Sequence, residues 1–166
     1  HKKQLVLKSP PNTARIKVLL SLFPNAKFIF IHRNPYEVYF SNKNFWKVTQ
    51  AFFAIGRTRS VNVNSIILDT YSEITHRYLL EKDLVPVGQL IEIPYEDLIQ
   101  NPLECIRKIY ETIDLGDFSY CENKMRSYVE SQKGFIRLKH EIPADEKKLV
   151  SEKFDPFIRY WNYHLL

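Results

Sequence analysis

Short continuous apolar runs alternate along the chain with apolar stripes at helical spacing. Gln4 to Leu7 reads as a short buried strand that ends in Lys8-Ser9-Pro10-Pro11. Thr13 to Leu22 follows, with Ile16, Leu19, Leu20 and Phe23 on one helical face. Pro24-Asn25 turns the chain into a second run, Lys27 to Ile31, whose Ile and Phe content suits a parallel strand covered on both faces. A helix is then predicted from Pro35 to about Val48. Thr49 to Val63 reads as irregular or as a broken helix. Ser65 to Lys82 forms a long helix with Ile66, Ile67, Thr70, Ile74, Tyr78 and Leu79 along one side. After a turn over Val85 to Gln89, Leu90 to Ile93 gives a third strand ending at Pro94-Tyr95-Glu96-Asp97. Asn101-Pro102 opens a helix to about Ile113, with Leu103, Ile106, Ile109 and Tyr110 inward. Tyr120 to Ser131 is a further helix and Gln132 to His140 a basic loop. The closing helix, Asp145 to about Tyr160, contains Pro156, which is expected to break or kink it. Two successive strand-helix units argue for an α/β fold with a parallel sheet and right-handed crossovers.

The junction of the second strand with its helix carries chemistry. His32 and Arg33 mark the carboxyl end of the strand, Asn34 is suited to cap the helix, and Pro35 fits its first position. Ligands of open α/β sheets bind at such strand ends, where helix N-termini offer free N–H groups to anions. Ser41 lies about two turns into the helix, within reach of the same anion as Arg33. Lys8, Arg33 and Tyr95, each near a strand's carboxyl end, are expected to face one crevice.

Composition narrows the classes. The 166 residues are 45% hydrophobic and 14% aromatic, which suits a single domain over the whole chain, residues 1–166. A net charge of +5 favours an acidic ligand. The cations are scattered, however, and no tract resembles a nucleic-acid-binding arm, so no nucleic-acid partner is expected. Cys105 and Cys121 belong to no zinc-like spacing and read as reduced packing residues. His76, His140 and His164 show no metal-ligand spacing. No apolar run approaches the roughly 20 residues that cross a bilayer, and no signal-peptide pattern is present; a cytoplasmic protein without a membrane span is expected. The chain opens on His1, three residues before its first strand, and reads as the carboxyl-terminal part of a longer domain.

Taken in order, the segments Leu7-Lys8-Ser9-Pro10-Pro11-Asn12-Thr13-Ala14-Arg15-Ile16, Phe23-Pro24-Asn25-Ala26-Lys27-Phe28-Ile29 and Arg33-Asn34-Pro35-Tyr36-Glu37-Val38 through Ser41 resemble sulfotransferases that use 3′-phosphoadenosine 5′-phosphosulfate (PAPS). Tyr95-Glu96-Asp97-Leu98 with Asn101-Pro102 resembles the family's next landmark. The aromatic ending, Phe154 to Tyr163, is similar to the closing helix of its broad bacterial-type branch. The resemblance implies a P-loop-like three-layer α/β fold, a nucleotide sulfuryl donor and a hydroxyl or amine acceptor, with no metal. It implies that Arg33 and Ser41 bind the donor's 3′-phosphate, that Tyr95 lies at the adenine, and that Lys8 approaches the transferring sulfuryl group. It also places a late cationic loop, here Lys133, Arg137 and Lys139, over the 3′-phosphate.

The chain departs from the family pattern at two points. Pro10 stands where the family often supplies a histidine base, and Glu37 and His32 are not assigned that role, Glu37 being expected to face outward. The Gly-containing strand-loop-helix that holds the 5′-phosphosulfate is missing, since Gly56, Gly88, Gly116 and Gly134 open no helix after a strand. Two other readings therefore stay open. One is a non-catalytic module that keeps the 3′-phosphate corner; the other is a P-loop kinase, which would need a Gly-Lys-Ser/Thr element not present in this sequence. Phe45, Trp46, Phe52 and Phe53 follow the corner where an acceptor could bind.

Overall fold

A computed structural model of the chain describes residues 4–53, 62–132 and 143–164, and the side chains of 50–53 are not among them. Seven helices and two strands are formed by these residues. Helix α1 spans Ile16–Leu22, strand β1 Phe28–His32, α2 Pro35–Phe53 and α3 Val63–Glu81. Strand β2 spans Leu90–Pro94, followed by α4 Tyr95–Gln100, α5 Pro102–Thr112, α6 Ser119–Ser131 and α7 Ala144–Tyr160. A 3-10 turn, Pro10–Ala14, precedes α1, and another, Lys82–Leu84, follows α3.

The strands β1 and β2 pair in parallel, with Phe28 opposite Leu90 and His32 opposite Pro94. Alternation then sorts their side chains to two faces. Phe28, Phe30 and Leu90 pack against Ile16 of α1, Tyr78 of α3 and Val85 after the second 3-10 turn, all three buried. Phe30 stacks on Tyr78 with ring centroids 3.9 Å apart. Ile91 and Ile93 point the other way and are buried against Ile109 and Ile113. The largest cluster lies among three helices: Tyr36, Tyr39 and Phe40 of α2, Ile67 and Leu68 of α3, and Val150, Phe154, Phe157 and Ile158 of α7.

Three expectations are corrected. Gln4 to Leu7 forms no strand, and Leu5, Val6 and Leu7 are 72%, 84% and 55% exposed. An apolar run becomes a strand only where a ladder partner accepts its backbone, and none of the described residues provides one there. Among the described residues the sheet consequently has two strands, not three. Second, β1 is covered on one face only, since Ile29 and Ile31 are 46% and 47% exposed while Phe28 and Phe30 pack inward. Third, the buried stripe of α3 is Ile67, Leu68, Thr75 and Tyr78, whereas Ile66 is exposed. Contacts with both α2 and α7 turn the helix relative to the stripe read from periodicity. Pro156 lies inside α7 without ending it.

Distant carboxylates tie the helix starts to the rest of the fold. Glu81, at the end of α3 and buried, accepts from the Lys17 N–H in the first turn of α1 at 3.0 Å and is held by Arg77 at 2.6 Å. Glu96 does the same for the entry to α2, accepting from the Asn34 N–H at 3.1 Å. Negative charge at a helix N-terminus satisfies orphan donors and the macrodipole together.

Candidate anion-binding site

The corner at the carboxyl end of β1 is built by local rules. Asn34 accepts from the Tyr36 N–H through its side chain at 3.0 Å, while its carbonyl accepts from the Val38 N–H at 3.1 Å. Pro35 has no N–H to satisfy. Together with Glu96 on the Asn34 N–H, these bonds occupy the Asn34 and Tyr36 donors of the helix start. Fewer backbone donors are left at the helix start than its sequence suggests, so an anion at this corner depends more on side chains.

Arg33 is the side chain best placed to meet it. Its guanidinium lies 4.8 Å from the centroid of the Tyr95 ring, and Nη2 donates to Glu37 Oε2 at 2.9 Å. The pair is an i,i+4 contact with side chains 30% and 36% exposed. Ser41 is exposed and stands four residues beyond Glu37. Residues four apart share a helix face, so Arg33, Glu37 and Ser41 form a column with the carboxylate in the middle. Glu37, expected to face outward, is partly exposed and pairs with the cation of the corner. Spacing alone carried that signal.

Behind the corner lies a polar chain that the sequence did not reveal. His32, 8% exposed, stacks on Trp161 at 5.0 Å and meets the Tyr163 hydroxyl through Nδ1 at 2.9 Å. Tyr163 in turn donates to Glu96 Oε2 at 3.0 Å. Burial lowers the His32 pKa below its ordinary value, opposed by the carboxylates of Glu92, Glu96 and Asp97. Burial also raises that of the Tyr163 phenol, as do the charge and hydrogen bond of Glu96. Both directions follow from the cost of a charged form away from water, and a neighbouring anion adds to it for a phenol.

Residues 1–119 match the profile of a family described as the sulfotransferase family. The chain belongs to that family. Curated relatives include the omega-hydroxy-beta-dihydromenaquinone-9 sulfotransferase Stf3 of Mycobacterium bovis and that of Mycobacterium tuberculosis, each 29% identical over 162 residues. The match covers 98% of this chain and 42% of each of those proteins. The fold of this sulfotransferase-family chain is similar to the crystal structure of sulfotransferase STF9 from Mycobacterium avium, with a TM-score of 0.80 at 21% identity. That likeness covers 96% of this chain and 42% of the other. The α/β architecture expected of the family is therefore the one adopted, and the chain spans less than half the length of these relatives.

Within this sulfotransferase-family fold the expected site residues are dispersed unevenly. Arg33 and Tyr95 are in contact, and Ser41 continues the Arg33–Glu37 column. Tyr95 opens α4 rather than ending a strand. Lys8 is exposed on the segment before the first 3-10 turn, and among the described residues no hydrogen bond or ion pair ties it to the corner. Lys133, Arg137 and Lys139 lie outside the described residues. Among the described residues, no group of three or more His, Cys, Asp or Glu side chains could hold a metal ion, and no helix is long and apolar enough to cross a membrane.

Proposed function

We propose that this chain forms the 3′-phosphoadenosine end of a PAPS-dependent sulfotransferase that transfers a sulfuryl group to a hydroxyl or amine. The observation that carries the reading is the Arg33 guanidinium over Tyr95 at the mouth of α2, with Ser41 two turns along. An arginine offers five donors in a planar fork, so contact with Glu37 leaves others for a phosphate. Tyr95 presents an aromatic surface beside that phosphate for the adenine. Ser41 supplies a neutral hydroxyl donor on the far side of Glu37. Lys133, Arg137 and Lys139 add cations from the late loop.

In the transfer step an acceptor oxygen or nitrogen forms a bond to sulfur as the bond from sulfur to the 5′-phosphate oxygen breaks. The acceptor's proton leaves to a base, and adenosine 3′,5′-bisphosphate departs carrying the new negative charge. Catalysis of such a displacement is mostly positioning and charge placement, by analogy with phosphoryl transfer. Lys8 is assigned to the sulfuryl oxygens or leaving oxygen, and no base is assigned among the described residues. The apolar side chains of Phe45, Trp46 and Val48, 60%, 39% and 59% exposed on α2, offer a surface to an acceptor with an apolar body.

Calorimetry with adenosine 3′,5′-bisphosphate on the full-length protein tests the assignment. Replacing Arg33 with alanine removes charge-assisted hydrogen bonds worth about 1.5–3 kcal/mol, so affinity should fall by about ten- to a hundredfold. Adenosine 5′-monophosphate, which lacks the 3′-phosphate, should bind both forms alike. Equal affinity of wild type and Arg33→Ala for the bisphosphate would remove the assignment.

A further inference from the structure

We infer that Tyr163 is a positioning residue for the phosphate corner, its hydroxyl holding the Glu96 carboxylate on the start of α2 and away from Arg33. The inference rests on the reading of Arg33 as the phosphate ligand. Three contacts define it: Asn34 N–H to Glu96 Oε1 at 3.1 Å, Tyr163 hydroxyl to Glu96 Oε2 at 3.0 Å, and His32 Nδ1 to the Tyr163 oxygen at 2.9 Å.

Proton counting orders the chain. A phenol has one proton, and Tyr163 gives it to Glu96. The contact with His32 therefore runs from the Nδ1 N–H to the phenol oxygen, which fixes the tautomer of the imidazole. Stacking on Trp161 holds the ring in place. Each oxygen of Glu96 thus has a named donor, one from the entry to α2 and one from the tail after α7.

The consequence concerns Arg33. It lies over Tyr95, the residue immediately before Glu96, and already carries one carboxylate, Glu37. Without the Tyr163 hydroxyl, Glu96 Oε2 loses its tail donor, and the cation beside it is Arg33, which precedes Asn34 in the chain and lies over the ring of Tyr95. A second carboxylate on that guanidinium competes with the phosphate for the same donors and repels it. Tyr163 acts on the ligand through Glu96 and without touching it, which makes it a positioning residue.

The test uses the full-length protein and adenosine 3′,5′-bisphosphate as the probe. Tyr163→Phe keeps the ring and removes only the hydroxyl, and it should weaken binding about three- to tenfold. Adding Glu96→Gln should restore affinity to within about twofold of wild type. The amide oxygen still accepts from the Asn34 N–H, but no charge is left to compete for Arg33. Nitrogen-15 spectra should show His32 protonated on Nδ1 in the wild type and altered in Tyr163→Phe. Unchanged affinity in Tyr163→Phe would overturn the inference, and so would a loss that Glu96→Gln fails to restore, which would mean a mere prop. Should Tyr163→Phe fail to fold, Glu96→Gln alone decides, because it must bind at least as tightly as wild type. Failure of the wild type itself to bind the bisphosphate is a different result, and it removes the phosphate reading first and this inference with it.

Discussion

Glu37→Gln should tighten binding of adenosine 3′,5′-bisphosphate, although it removes an ion pair. The pair joins Arg33 Nη2 to Glu37 Oε2 at 2.9 Å, with both side chains about one-third exposed. An i,i+4 pair at such exposure contributes only about 0.3–0.5 kcal/mol to the folded chain. Its loss should therefore be nearly silent in a denaturant titration. The effect on the ligand is larger and of opposite sign. Glu37 sits between Arg33 and Ser41, where the phosphate of the proposed complex must lie, so binding either displaces the carboxylate or accepts its repulsion. Near-surface charges a few ångströms apart interact by about 1 kcal/mol in water, and salt screens part of that. A gain of about 0.5–1 kcal/mol, or two- to fivefold in affinity, follows. Glutamine retains the shape and can still accept from Arg33, so the change is one of charge. Calorimetry at low and moderate salt should show the gain shrinking as ionic strength rises. Adenosine 5′-monophosphate should bind wild type and variant equally. Weaker binding of the bisphosphate by Glu37→Gln would refute the reasoning, since it would mean that Glu37 is needed to aim the guanidinium.

Two further outcomes concern the scaffold. Phe154, fully buried among α2, α3 and α7, should lose about 3–5 kcal/mol of stability on replacement by alanine, read as a lower urea midpoint with an unchanged slope. The second is a pH effect. His32 has a folded-state pKa below its ordinary value of about 6.5 because it is buried. The unfolded chain then binds more protons than the folded one below pH 6.5, so stability should fall as pH drops from there toward the folded value. Urea midpoints at pH 7.5 and 5.5 measure it, and a His32→Asn variant should show a shallower fall across that window.

Local pattern made most of the helices legible. The Asn34-Pro35 entry to α2 was readable because capping and proline rules act over three residues, and Pro102 at the start of α5 obeys the proline rule, although Asn101 makes no side-chain cap bond. The proposed anion corner could be drawn from Arg33 and Ser41 by spacing. What the sequence hid was set by distance along the chain. Glu96 serves Asn34 across 62 residues, and Tyr163 reaches His32 across 131. No periodicity announces such pairs. Gln4 to Leu7 failed for a related reason: its apolar pattern matches a strand, yet strand formation depends on a neighbour. The misjudged stripe of α3 reflects packing on two helices at once, which a single amphipathic face cannot express.

The carboxylates around Arg33 pose an apparent contradiction, because an anion site is usually expected to be short of negative charge. Glu37 pairs with Arg33 directly, and Glu96 lies one residue beyond the ring on which the guanidinium rests. Their roles differ by what else they touch. Glu96 is bound by two donors, and its charge is spent on the α2 entry and on Tyr163. Glu37 has a partly exposed side chain and holds Arg33 through an ion pair of small worth. Such a pair is easily exchanged, so it can keep a long cationic side chain oriented before the ligand arrives and yield when a dianion offers more. The Tyr95 ring lies against the guanidinium, its centroid 4.8 Å away. Arg33 thus waits with its geometry set by a ring and a weakly held carboxylate, which lowers the ordering entropy that binding must supply. The proposed site is therefore sensitive to Tyr163, the side chain that, with the Asn34 N–H, keeps Glu96 from joining Glu37.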